Sequence, residues 1–331
     1  MLTFSRACIS VLACITLLPL GAAAWDRGTV ETFATLPAGN ANPEGITVDK
    51  QGDVYVTTFA VSASGGPGKV FVFDSTGGLK RELSVAGSSN LLLGIAFHPR
   101  TNELLILDFG NARVLRVDPH TGASSVFATV SGSAGLNALA FDKDGNVYIS
   151  DSSQGIIWRT GRAGGAAVAW ASHDLLTTSG FPPFGANGMG FNRRENALFV
   201  ANTGNDQVIR IPVNAGAAGT PEVFVNSVNG ADGLLVDGQD NVWICANQAD
   251  EIVVVDKTGR AIAKLGDFDG LRGGAPVGLL FPASLARSGE WIYVTNLSLD
   301  LRLFGLPQAV DSQWTGEVTS HTIARLRARI P

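Results

Sequence analysis

One feature limits the folds open to this chain more than any other: it repeats. A short apolar run begins on a small residue at Gly45, Gly94, Ala138, Gly188, Gly233 and Gly278, at intervals of 49, 44, 50, 45 and 45 residues. A single unit of this size cannot bury both faces, so neighbouring units must stack. The units read alike. An apolar strand (GITVD, GIAFH, ALAFD, GMGFN, GLLVD, GLLFP) is followed by a polar turn such as DKQGD, DKDGN or DGQDN. A second strand comes next: VYVTTF, LLILDF, VYISDS, LFVANT, VWICAN, IYVTNL. A third follows after another turn (KVFVFD, RVLRVD, GIIWRT, QVIRIP, EIVVVD), and most units end on a fourth, as in SSVFATV and PEVFVNS.

Short alternating strands between Gly- and Asp-rich turns, with no helical period between them, predict an all-β fold. Four strands per repeat at this length predict a six-bladed β-propeller with four-stranded blades. The ends predict closure. TVETFATLP, residues 29–37, has the form of a fourth strand but precedes the first unit. The last unit takes its first strand from 277–281, its second from 291–296 and its third from HTIARLRARI, with 302–319 as an irregular insertion. The N-terminal strand would then close the last blade, hiding two sheet edges that would otherwise be exposed.

Residues 1–24, MLTFSRACISVLACITLLPLGAAA, read as a secretory signal peptide: a basic Arg6, an apolar stretch from Ala7 to Leu20, then small residues before a cleavage point at Trp25. The stretch is short for a membrane span. The expectation is a secreted or periplasmic protein with no membrane insertion after cleavage, and a single propeller domain over 25–331. Lys and Arg number 24 against 29 Asp and Glu, a formal net charge of −5, and no basic block offers a nucleic-acid footprint. Beyond the leader only Cys245 remains, in the apolar strand NVWICAN. No disulfide can then support the fold, and a buried small hydrophobe is the role expected of the thiol. A monomer acting on a small molecule is the expectation.

In a propeller the first strand of each unit is innermost. The residues just before the six aligned positions are Glu44, Leu93, Asn137, Asn187, Asp232 and Val277. Four of them carry oxygen and come from units one, three, four and five, so ring symmetry gathers groups that are distant in sequence. Two carboxylates close together repel, and a divalent cation would resolve that repulsion. Hard oxygen donors without thiolate or imidazole favour Ca²⁺, with Mg²⁺ or Mn²⁺ as alternatives. Four protein ligands leave coordination positions for water or substrate. Asn, Asp and Gly are also common turn formers, but a fixed column is more than scattered turns.

Other chemistries have weaker support. NTGND and SASGG are loops and not a strand–Ser–helix elbow, and GxxxxGK[ST] is absent. His98, His120, His173 and His321 do not cluster, which disfavours zinc. His173 lies in the longest connection on the ligand side, WASHDLLTTSGFPPFGANG, with Phe181 and Phe184, and is a candidate base. Phe59, Asp108, Asn111, Asp151, Asn202, Asn205, Asn247 and Asn296 lie in connections that reach the same face.

The sequence resembles the SMP-30/gluconolactonase family of six-bladed propellers, and also the diisopropyl-fluorophosphatase group, over nearly all of 29–330. The resemblance rests on NPEGITVD, LNALAFDKDGNVYISD, NGMGF with FVANTGNDQVIRI, and ADGLLVDGQDNVWICAN. The DKxGxVYV turns are shared with NHL-repeat and strictosidine-synthase-like propellers, so the oxygen column discriminates. The resemblance implies one catalytic divalent ion, with Glu44 at the family's Glu, Asn137 and Asn187 at its two Asn, and Asp232 at its Asp. The implied activity is metal-dependent hydrolysis of a small lactone or ester, the cation polarising the carbonyl. Asp232 then serves as base, nucleophile or ligand alone. Two departures stand out: no aromatic follows Glu44, and no arginine is placed for an acidic sugar. With the apolar pair Leu93 and Val277 they predict a neutral substrate. A non-catalytic exported propeller that binds a small molecule or peptide, and a strictosidine-synthase-like enzyme, are the competing readings.

Overall fold

Each Asp-Gly turn of the repeat builds its own hairpin. In the turn after the first inner strand, Asp49 Oδ1 accepts the backbone N–H groups of Gln51 and Asp53, both at 2.9 Å. Asp142 does the same for Asp144 and Asn146, and Asp237 for Gln239 and Asn241. These side-chain caps mimic backbone turn bonds and fix the register of the strands on either side. Aromatic residues of the second strands reach back to the same carboxylates: Tyr148 at 3.2 Å and Trp243 at 3.0 Å.

A computed structural model describes residues 25–62, 65–305 and 312–331; the expected leader, 1–24, lies outside them. Six sheets, each built on four antiparallel strands, surround a central axis. Their innermost strands are Asn42–Val48, Leu92–Phe97, Leu136–Phe141, Ala186–Phe191, Ala231–Val236 and Pro282–Ser288. The second strands of blades one to five, among them Val54–Phe59 and Val242–Ala246, are buried along their whole length. They hold the apolar core between blades, and the outer strands are half exposed. The fold is therefore the expected six-bladed propeller. Among the described residues no helix is long and apolar enough to cross a membrane.

Closure occurs as the N-terminal strand predicts. Val30–Thr35 pairs antiparallel with Thr322–Arg327, whose other neighbour is Trp291–Asn296. The Phe33 ring packs edge-on against Tyr293 at 4.7 Å. Across the innermost ring, Thr295 Oγ1 of blade six donates to Glu44 O of blade one at 2.6 Å.

Blade six corrects one expectation. Its inner strand is Pro282–Ser288, and the segment 277–281 is not a blade strand. Phe268–Arg272 and Ala275–Gly278 form an extra hairpin ahead of the blade. Gly278 and Phe281 both have positive φ, +81° and 50°, values a regular strand does not adopt. Leu279 and Leu280 are fully buried, so the apolar run GLLFP is a buried connection. Apolarity alone does not separate the two cases. The sixth column position consequently belongs to Ala283, and Val277 has no part in it.

Candidate functional site

All six inner strands break register at one level. The breaks lie between Pro43 and Ile46, Leu92 and Ile95, Leu136 and Leu139, Ala186 and Met189, Ala231 and Leu234, and Pro282 and Leu285. Two residues occupy each break. The first of each pair is the column residue: Glu44, Leu93, Asn137, Asn187, Asp232 or Ala283. A bulge re-aims a side chain that a regular strand would direct into the sheet packing.

The second residue explains the recurring glycine. A Cβ on Gly45, Gly94, Gly188 or Gly233 would come within 2.6 Å of the carbonyl oxygen of Leu93, Asn137, Asp232 or Ala283 respectively. Each of those carbonyls belongs to the column residue of the next blade. Blades meet so closely at the axis that a side chain is excluded there. Hydroxyls lock three of the bulges. Thr57 Oγ1 accepts from Gly45 N at 2.9 Å and donates to Leu93 O at 2.7 Å. Ser150 accepts from Ala138 N, and Thr295 from Ser284 N.

A cavity open to one face brings Glu44, Asn137, Asn187 and Asp232 together on its floor. All four side chains are buried. Asn247 Nδ2 donates to Asp232 Oδ2 at 2.8 Å, and Asn187 Nδ2 to Thr203 Oγ1 at 2.9 Å. Burial pushes the Asp232 carboxyl up to about 7, although hydrogen bonds from Asn247 and Asn187 pull it down. Burial, and secondarily the charge of Asp232, holds Glu44 well above the usual carboxylate range. Glu44 Oε2 is buried with no hydrogen-bond partner.

These residues fit a hard divalent cation. Two buried carboxyls that disfavour each other's charge, one with an unpartnered oxygen, gain from a positive charge between them. The other donors in the ring are carboxamide oxygens, as calcium-type ions require. Among the described residues no group of three or more His, Cys, Asp or Glu exists to hold a softer metal. Cys245 is fully buried, and burial followed by the charges of Asp232 and Glu44 pushes its thiol well up, so it is inert packing.

The remaining sequence candidates divide. Phe59, Phe184 and Asn247 line the cavity; His173 and Phe181 do not. His173 begins the short turn Asp174–Leu176, where its Nδ1 accepts from Leu175 N at 3.1 Å. Asp108, Asp151, Asn202 and Asn296 are buried loop anchors. Asp151, for instance, accepts from Gly135 N and from Trp158 Nε1. Six wall residues escaped the sequence reading: Phe109, Pro182, Phe281, Leu297, Leu299 and Leu301. The signal for the three leucines is the alternating LSLDL after Asn296, where the other second-to-third connections are polar. Thr203 was missed as well, and only its position next to Asn202 marks it.

Comparison with known proteins agrees with the fold. The profile of the SMP-30/gluconolactonase/LRE-like region matches residues 93–266. No curated protein gives a significant match. Among solved structures, a gluconolactonase from Xanthomonas campestris superposes with a TM-score of 0.64 at 14% identity, covering 92% of this chain and 91% of its own. A luciferin-regenerating enzyme gives 0.63 at 16%, covering 90% and 95%. Regucalcin from Agrobacterium tumefaciens, a calcium-binding protein, gives 0.60 at 16%, covering 89% and 94%. At such identities these likenesses establish the fold alone.

Proposed function

The chain belongs to the SMP-30/gluconolactonase/LRE-like family, and from that premise we propose that it is a metal-dependent hydrolase of a small lactone or ester. The observation that carries the reading is the Glu44 carboxyl. It is buried beside Asp232 with Oε2 unpartnered, at the floor of an open cavity. Glu44, Asn137, Asn187 and Asp232 would hold one divalent cation, Ca²⁺ ahead of Mg²⁺ or Mn²⁺. When bound, such an ion supplies Lewis acidity at the substrate carbonyl oxygen.

The protein's own groups do the rest. In this reading Asp232 takes the proton of a water molecule whose oxygen adds to the carbonyl carbon. The same carboxyl then returns that proton to the departing ring or ester oxygen as the C–O bond breaks, so that acid and alcohol leave. A carboxyl can serve both halves of this transfer, accepting the proton as the carboxylate and returning it as the acid. Asn247 holds Oδ2 and so fixes the orientation of the carboxyl. The apolar wall limits competing water. In the same reading the leader exports the chain, which acts as a monomer on a small molecule.

Two substitutions test this. Asp232→Asn removes the proton acceptor and should lower turnover by about 10²–10⁴-fold, with little recovery in excess cation. Glu44→Gln weakens cation binding, so excess cation should restore much of its activity. Full rescue of Asp232→Asn would reduce Asp232 to a ligand. Wild-type rates in both variants would remove the column from the reaction.

A further inference from the structure

The walls of the cavity describe what it admits. Above the oxygen floor stand Phe59, Phe109, Phe281, Leu297, Leu299 and Leu301. Phe59 and Phe109 pack edge to face at 5.8 Å, and Phe59 belongs with Phe281 and the three leucines to one buried cluster. No Arg, Lys or His is among the described lining residues. The polar groups above the floor, Thr203 and Asn247, are already engaged. Thr203 Oγ1 accepts from Asn187, while Asn247 donates to Asp232 and accepts from Gln248. In the same short turn as Leu301, Leu303 and Phe304 are 58% and 44% exposed.

We propose, on the reading of the same cavity given above, that its substrate is an apolar alkyl- or aryl-substituted lactone or ester and not a polyhydroxylated one. A sugar lactone entering this cavity gives up several water hydrogen bonds and meets walls that are almost wholly apolar, with Thr203 and Asn247 their only polar side chains above the floor among the described lining residues. Each hydroxyl left unpaired weakens binding by roughly tenfold or more. An alkyl chain gains instead, about fourfold for each buried methylene. Much of the selective wall comes from blade six, where the chain departs from the repeat: the connection ending at Phe281 and the segment 297–301. The rest of the ring could therefore keep its geometry while these segments set the preference.

The test uses the wild-type protein loaded with Ca²⁺, with proton release measured on δ-valerolactone, δ-octalactone, δ-decalactone and glucono-δ-lactone. Expected is a kcat/KM that rises with chain length by about threefold or more per methylene, until the cavity is filled, with glucono-δ-lactone at least about a hundredfold below δ-decalactone. A flat alkyl series, or glucono-δ-lactone equal to the best alkyl substrate, overturns the proposal. A binding arm separates this failure from failure of the hydrolase reading. Calorimetry compares the corresponding alkyl lactam with gluconolactam, neither of which needs to react. If no lactone is hydrolysed but the alkyl lactam binds at least tenfold tighter, the apolar selectivity stands and hydrolysis falls. If gluconolactam binds tighter, or neither binds, the selectivity is wrong.

Discussion

Asn247 Nδ2 lies 2.8 Å from Asp232 Oδ2 and donates to it, which ties the connection after blade five's second strand to the oxygen column. This bond favours the charged carboxylate and fixes which oxygen faces the cavity. Asn247→Leu should therefore weaken divalent-cation affinity by roughly 10- to 100-fold, the usual effect of losing a group that orients a ligand. Titration calorimetry reads it directly. Unchanged affinity would mean that the bond does not position Asp232.

Stability of the cation-free protein should fall as pH rises near neutrality. The folded Asp232 carboxyl sits at about 7, above the ordinary aspartate value of 3.8. The folded state thus binds the proton more tightly, and stability present below the unfolded value is lost as pH rises through about 7. Glu44 acts in the same direction. His321, held at about 4 by burial, costs stability on acidification below its ordinary 6.5, so the clean window is pH 6.5 to 8. Across it the loss from Asp232 is on the order of 1 kcal/mol. Thermal melts in chelator should show that decline, and Asp232→Asn should flatten it. Added cation should stabilise more at pH 8 than at 6.5, because its ligands must be deprotonated. Melting temperatures that rise with pH in chelator would contradict the burial argument.

The bulge glycines make a steric prediction. A Cβ at Gly188 would collide with Asp232 O and with Leu234 N, both backbone atoms that cannot swing aside. Gly188→Ala should cost roughly 2–4 kcal/mol and weaken cation binding as the column spreads. Gly238→Ala is the control, with nothing within 4 Å of its new Cβ. It should be neutral within about 0.5 kcal/mol. Denaturant unfolding of the two variants decides the matter, and equal stabilities would contradict close blade approach.

The column was legible because backbone geometry writes itself into sequence. The close approach of blades at the axis demands glycine after Glu44, Leu93, Asn187 and Asp232, and that glycine made the preceding residue stand out. Blade six was misread for a physical reason too. Ser284 replaces the glycine there, while Gly278 and Leu279 imitate a strand start inside a buried connection. The walls were least legible. Leu297, Leu299 and Leu301 follow no repeat, and their facing of Phe59 and Phe281 arises only when the ring closes. Asp108, Asp151, Asn202 and Asn296 sit near the same face yet turn into loop hydrogen bonds, a distinction of side-chain direction that spacing does not carry.

Ring closure by the N-terminal strand predicts that its anchors carry global stability. Phe33 is buried among Phe71, Phe73 and Tyr293, at the seam between blades six and one. Phe33→Ala should destabilise the whole propeller by about 3–5 kcal/mol in a single transition, and deletion of 25–38 by more. If the truncated protein melts like the longer chain, the seam does not depend on this strand.

The central claim is that Glu44, Asn137, Asn187 and Asp232 hold a divalent cation on which hydrolysis depends. Its most direct test is the rate of lactone hydrolysis by wild-type protein, stripped with a strong chelator and then titrated with Ca²⁺. The account predicts that activity disappears with verified metal removal and returns saturably at one ion per chain. Activity that persists unchanged in the metal-free protein would contradict it.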